Sequence, residues 1–99
     1  MKIITVCGSL RFKDEMMQIA EQIELEGNVA LIPIIPARKK KEEYTAEEIG
    51  MLGKMHKERI KLSDGIFVVN VDNYVGSATQ SEIDFARALN KEITYLVKC

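Results

Sequence analysis

The acid least expected at its position is Glu82, in the stretch GSATQSEIDFA (76–86). Read as the first turns of a helix, this segment places Glu82, Phe85, Ala86 and Leu89 at i, i+3, i+4 and i+7. That spacing makes one stripe facing the core, and the stripe opens with a carboxylate. An inward acid at a pocket edge is a candidate nucleophile or general base. The plainer reading is a helix-starting glutamate that answers the macrodipole. It accounts for an acid in the first turn, but less well for one aligned with Phe85 and Leu89.

Two short turns could bring a ligand to that carboxylate. In CGSLR (7–11), Gly8 lets a ligand approach the backbone, and Ser9 can cap the helix that follows. The first N–H groups of that helix form an anion site, to which Arg11 adds a charged fork. In YVGSATQSE (74–82), Gly76 and Ser77 make a second turn of the same kind. Asn70 interrupts the apolar run IFVVNV, where it either hydrogen-bonds a ligand or starts the turn. His56 is the sole histidine. On a helix over 46–63 it shares a face with Ile49, Leu52, Ile60 and Ser63, so it points at least partly inward, as a satisfied core residue or as a catalyst.

These residues need elements to hold them. KIITVC (2–7) is a β-branched run and reads as a strand. A helix from the Ser9 cap to about Glu26 follows, with Phe12, Met16, Ile19, Ala20 and Ile23 as its stripe and Gly27 as its stop. NVALI (28–32) is a second strand, ended by Pro33, and 33–44 is an aperiodic loop. Thr45 with Glu48 forms a capping box for a helix to about Ser63. GIFVVNV (65–71) is the third strand, with Asp64 as a structural lead-in. Ser77 with Gln80 suggests another capping box, for the helix carrying Glu82 to near Asn90. EITYLV (92–97) is the last strand.

Alternating strands and helices with near-continuous apolar strands predict a single-domain, three-layer α/β fold. The expected sheet is four-stranded, mostly parallel and flavodoxin/Rossmann-like, with order 2-1-3-4. Ligands of such folds bind outside the carboxyl ends of the strands, at the switch in strand order. That edge gathers 7–11, the 33–44 loop and 70–81, with Glu82 just beyond.

Bulk properties narrow the function. The 99 residues carry a net charge of −1 and 46% apolar side chains, so the chain suits one domain and neither a nucleic-acid polymer nor a membrane surface as partner. The basic run Arg38-Lys39-Lys40-Lys41 runs straight into Glu42 and Glu43 and reads as a solvated loop in preference to a phosphate-gripping lid. Cys7 and Cys99 lack metal or redox spacing; a buried free Cys7 and a frayed terminal Cys99 suit a reducing cytoplasm. No metal and no organic cofactor are expected. Four strands leave sheet edges to cover, which favours a homodimer or higher homo-oligomer.

Taken together, CGSLR after the first strand, a helix running into SDGIFVVNV, and a Gly-Ser turn leading to SEIDFARALNKEITYLV resemble the nucleoside 2-deoxyribosyltransferase superfamily, which includes nucleoside-monophosphate N-glycosidases. The resemblance covers most of the chain. It implies that Glu82 is the nucleophile attacking the anomeric carbon of a (deoxy)ribose, with water or a second base resolving a glycosyl-enzyme. It also implies that Gly8, Ser9 and Arg11 hold the sugar or a 5′-phosphate, beside Ser77 on the other turn. Where the family has a catalytic aspartate this chain has His56, a residue able to protonate a base or position a hydroxyl near neutral pH. Where the family has a first-strand tyrosine, this chain has Thr5. Family members often complete the pocket with a neighbouring subunit; here the 33–44 loop, with Tyr44, is a candidate for that work. The expected ligand is a small nucleoside or nucleotide. The competing expectation is a non-catalytic nucleotide-binding or sensing domain of the same fold. A flavin-binding domain is disfavoured, because the first loop lacks a Ser/Thr-rich phosphate cradle.

Overall fold

The computed structural model describes residues 1–38 and 40–98; Lys39 of the basic run and the terminal Cys99 lie outside the described residues. Its strands are β1 (Ile3–Cys7), β2 (Val29–Leu31), β3 (Gly65–Val68) and β4 (Glu92–Tyr95). Its helices are α1 (Lys13–Leu25), α2 (Ala46–Leu62) and α3 (Ser77–Ala88), with short 3-10 turns at Leu10–Phe12, Lys41–Glu43 and Val71–Asn73. The sheet is parallel throughout, in the order β2-β1-β3-β4. This is the architecture expected from the alternation of apolar strands and amphipathic helices. Among the described residues no helix is long and apolar enough to cross a membrane.

The period-2 geometry of β1 sorts its side chains onto two cores. Val6 joins Met16, Ile23 and Val69 in the layer against α1. Cys7 joins Ile60, Ile66, Val68, Ile83 and Ala86 in the layer against α2 and α3. Thr5, two residues before Cys7, takes the same side, where its hydroxyl meets Ser63. Ser63 donates to the Arg59 carbonyl at 2.8 Å, which leaves Thr5 as the donor to Ser63. The Thr5 hydroxyl is therefore spent at the base of α2.

Several boundaries differ from the sequence reading for local reasons. Ser9 does cap, accepting from the Arg11 N–H at 3.4 Å, but it caps the 3-10 turn, and α1 begins only at Lys13. Gly27 ends that helix at φ +90°, in the left-handed region glycine tolerates. The Thr45–Glu48 capping box forms. The one expected at Ser77–Gln80 does not: Gly76 is the N-cap, and the Gln80 amide donates to Asp84 at 2.9 Å. β3 stops at Val68, because the backbone then turns through Val71–Asn73, with Asp72 and Asn73 both at positive φ.

The stripe of α3 is also rotated from its expected position. The buried residues are Thr79, Ile83 and Ala86, while Leu89 is exposed. Glu82 and Phe85 thus sit on the flank of the buried stripe, and α3 packs against α2. Along α2, His56 and Ile60 are buried as the shared face predicts. Ile49, nearer the N-terminus of that face, is 49% exposed, so this half of the helix stands away from the core. A cleft opens beneath it.

Candidate active site

The cleft lies at the carboxyl ends of β1 and β3, where the chain order switches, and has a volume of about 350 Å³. Sites of roughly 300–1,000 Å³ suit small-molecule ligands. Gly8 and Ser9 from the first turn meet Gly76 and Ser77 from the second across this space. His56, Thr79 and Glu82 lie deeper in the wall, while Ile34, Ile49, Leu52 and Tyr74 make its apolar part.

Gly8 is closely packed. A Cβ there would meet the Met16 sulfur and the Val69 carbonyl oxygen, each at 3.1 Å. Because Gly76 rather than Ser77 is the N-cap, the Ser77 hydroxyl is not committed to a cap. The second turn keeps the first N–H groups of α3 beside the cleft, whereas in the first turn the Arg11 and Phe12 N–H groups are taken by Ser9 and that of Lys13 by Leu10.

At the inner end, Cys7 Sγ, His56 Nε2 and a Glu82 carboxylate oxygen all lie within 4.8 Å of one another. The Cys7–His56 separation is 3.7 Å and the His56–Glu82 separation is 3.9 Å. Each residue comes from a different element, β1, α2 and α3, and the strand period is what aims Cys7 at the two helices.

Burial dominates the electrostatics. The Glu82 side chain is only 14% exposed, and desolvation raises its pKa from 4.5 to about 7, against the smaller lowering effects of the Cys7 hydrogen bond and the Lys57 charge. Desolvation likewise lowers His56 from 6.5 to about 4, helped by the Arg59 charge and opposed by a bond to the Val6 backbone. His56 is therefore neutral at physiological pH, with no second proton to give a leaving group. Burial, then the Glu82 charge and its hydrogen bond, push the Cys7 thiol well above its ordinary value.

Two chemistries that the residue types suggest are opposed by this arrangement. A nucleophilic cysteine needs a lowered pKa and access; Cys7 has neither, being fully buried. Cys, His and Glu together are also zinc-type donors. A ligating His56 would use Nε2 and carry its proton on Nδ1, but Nδ1 faces the Arg59 guanidinium at 3.3 Å. Arginine only donates, so that tautomer would set two donors against each other.

The remaining candidates are distributed unequally. Arg11 is exposed at the rim, its guanidinium stacked 4.2 Å from the centre of the Tyr74 ring. The Asn70 side chain is turned away to the segment that follows β4: its amide donates to the Val97 carbonyl at 2.9 Å and its oxygen accepts from the Val97 N–H at 2.8 Å. Asp64 accepts from the Ile3 N–H at 2.8 Å, the structural lead-in expected of it. Tyr44 is not among the cleft-lining residues, whereas Lys41 from the same loop is. Cys7, Lys41, Tyr74 and Thr79 all fall in the segments expected at this edge, 7–11, 33–44 and 70–81, but only the structure singles them out there. For Thr79 a signal existed, its position three residues before Glu82 on one helix face.

Compared with known protein families and with curated proteins, the chain matches no family model and no curated sequence.

Proposed function

We propose that this protein cleaves or exchanges the N-glycosidic bond of a nucleoside or nucleoside 5′-monophosphate, with Glu82 as the nucleophile. The observation that carries the reading is a buried carboxylate in the wall of a cleft onto which the N-terminus of α3 opens, opposite the Gly8–Ser9 turn. The ordered blocks that resemble the nucleoside 2-deoxyribosyltransferase superfamily support it independently. In this scheme Glu82 Oε attacks the anomeric carbon as the carbon–nitrogen bond breaks and its electron pair leaves with the base. Water or a second base then attacks that carbon from the vacated face, the ester to Glu82 breaks, and configuration is retained overall. With water, one proton of the attacking molecule balances the proton taken up by the departing base.

The residues divide the work by chemistry. Ser9, Ser77 and the first N–H groups of α3 hold the 5′-phosphate or hydroxyl, with Lys41 contributing charge and Arg11 at the rim steering anions. Leu52, Ile49 and Tyr74 form the surface on which the base lies. Neutral His56 acts through hydrogen bonding, and the base takes its proton from solvent in the open cleft. The test is chromatography of free base released from a panel of nucleosides and their 5′-monophosphates, wild type beside Glu82→Gln. Release by the wild type and none by the variant is expected. Ligand-induced thermal stabilisation without release from any member would replace this reading with a non-catalytic nucleotide-binding domain.

A further inference from the structure

We infer that the recess between α2 and α3, behind the wall that carries Glu82, is a second binding site that takes a phosphate-type oxyanion; its effect on base release rests on the function just proposed. The recess has a volume of about 380 Å³ and shares Gly53, Ala78 and Glu82 with the substrate cleft. Small residues open it. A Cβ at Gly50 or Gly53 would meet nothing within 4 Å, so the helix surface there is bare. Two ammonium groups, Lys54 and Lys57, and the Ser81 hydroxyl complete the lining. At spacing i, i+3 the two lysines lie on one face of α2, where like charges repel.

These charges lack counter-ions. Among the described residues Lys54 makes no ion pair or hydrogen bond, and the acid one turn on, Glu58, is taken by Lys61 at 3.0 Å. Lys57 is held by neutral groups: it donates to Ser81 Oγ at 3.0 Å, with its nitrogen 5.7 Å from the centre of the Phe85 ring. Because the Ser81 oxygen accepts that bond, its own hydrogen is left to donate into the recess. Two cations and a hydroxyl donor in one recess match an acceptor that carries negative charge and several oxygens. Phosphate is such an ion, and lysine binds it as a point charge, so the free ion and a small phosphate monoester share the chemistry. The occupant also acts on Glu82. Among the described residues, the titratable and charged groups around Glu82 are Cys7 from β1 and His56 and Lys57 from α2, with Lys54 lining the same recess. Lys57 is the cation whose charge favours the ionised carboxylate. An oxyanion on Lys57 cancels that effect and adds a like charge, so Glu82 keeps its proton to higher pH. Phosphate thus restrains base release at neutral pH and not in alkali.

The experiment titrates inorganic phosphate into the protein at constant ionic strength, with chloride as the balancing ion, and follows ¹⁵N–¹H amide shifts and base release together. Saturable shifts at Gly50, Lys54, Lys57 and Ser81 are expected. The apparent pKa of base release rises by about one unit, so kcat falls about fivefold at about pH 7 and little at about pH 9. Lys54→Gln weakens phosphate binding about tenfold, and Lys54→Arg restores it. Gly50→Leu fills the recess without lining the cleft and abolishes the response with both lysines present. Ribose 5-phosphate separates the two sources: an equal response at the same amides assigns the site to phosphate monoesters as well, and none assigns it to the free ion. Shifts confined to Ser9 and Ser77, with KM raised and kcat unchanged, would place phosphate in the substrate cleft and overturn the inference. A response that survives both Lys54→Gln and Gly50→Leu, or that never saturates, overturns it equally. Should Gly50→Leu fail to fold, the pair of variants at the exposed Lys54 decides alone. If no nucleoside or nucleotide yields free base but saturable shifts in the recess vanish in Lys54→Gln, the anion site stands and the glycosidase reading falls.

Discussion

Glu82→Gln is expected to abolish the proposed chemistry and at the same time stabilise the protein, by an amount that depends on pH. The side chain is 14% exposed, and its pKa rises from 4.5 to about 7 on folding, chiefly through loss of solvation. A group whose folded pKa is raised binds its proton more tightly in the native state. Below pH 4.5 the acid is protonated in both states and costs nothing. Between pH 4.5 and 7 the unfolded chain ionises first, and stability drains away as pH rises. Above pH 7 the full penalty applies, about 3 kcal/mol for a shift of this size at ~1.4 kcal/mol per pH unit. Glutamine resembles the protonated acid in shape and carries no charge, so it escapes the penalty. Urea unfolding of both proteins from about pH 4 to 9 should give curves that coincide at the acid end and separate through neutrality. In a domain of this size the corresponding rise in Tm at about pH 8 is on the order of 10 °C. A stability difference that is flat with pH, or absent in mild alkali, would refute the burial argument and with it the carboxylate's placement.

Three further outcomes follow from the same geometry. Because the nucleophile must be ionised, kcat/KM for base release should climb with pH through an apparent pKa of about 7, the value set by Glu82. Gly8→Ala should cost about 1–3 kcal/mol by urea unfolding, since its Cβ would press on the Met16 sulfur and the Val69 carbonyl, both at 3.1 Å. Asn70→Ala should cost roughly 2 kcal/mol, because it strands the Val97 N–H and carbonyl that the side-chain amide satisfies. Hydrogen exchange would show that loss first at the end of β4, and base release should survive it in the folded fraction.

The parts legible in the sequence were those written in periodicity and caps. Alternating apolar strands and helices specified the parallel sheet, with the order 2-1-3-4 following from its flavodoxin-like class; the Thr45–Glu48 pair specified the start of α2, and Gly27 the end of α1. The inward His56 followed from its spacing to Ile60. What stayed illegible has a physical reason in each case. A strand buried on both faces is apolar at every position, so its sequence says which residues share a side but not which helices that side faces. Cys7 could not be assigned to the face of α2 and α3 until the register was known. Lys41 and Tyr74 lie on aperiodic segments, and the turn at Val71–Asn73 places Asp72 and Asn73 at positive φ without a glycine to announce it. Asn70 was seen as an exception within an apolar run, but a buried amide can serve a ligand or a backbone equally, and only the position of Val97 decides.

The energetic cost of Glu82 bears directly on function. Ordinary folding would replace such a carboxylate by an apolar or amide side chain, or give it a full ion pair. Here the cation whose charge reaches it, Lys57, is bonded to Ser81, and the other neighbours, Cys7 and His56, carry no charge. The carboxylate is therefore desolvated without being neutralised. In glycosidic cleavage the transition state develops positive charge at the anomeric carbon, in the space next to that oxygen. The charge missing in the free protein then arrives with the reaction, in a site where Coulombic attraction is weakly screened. An interaction that is absent from the ground state and present in the transition state accelerates the chemical step, whereas a permanent arginine or lysine partner would stabilise both and contribute little. By this reasoning a lysine placed next to Glu82, for example by Leu52→Lys, should raise thermal stability in mild alkali and lower kcat together. A variant that gained stability and kept its rate would show that the unpaired carboxylate has no catalytic purpose.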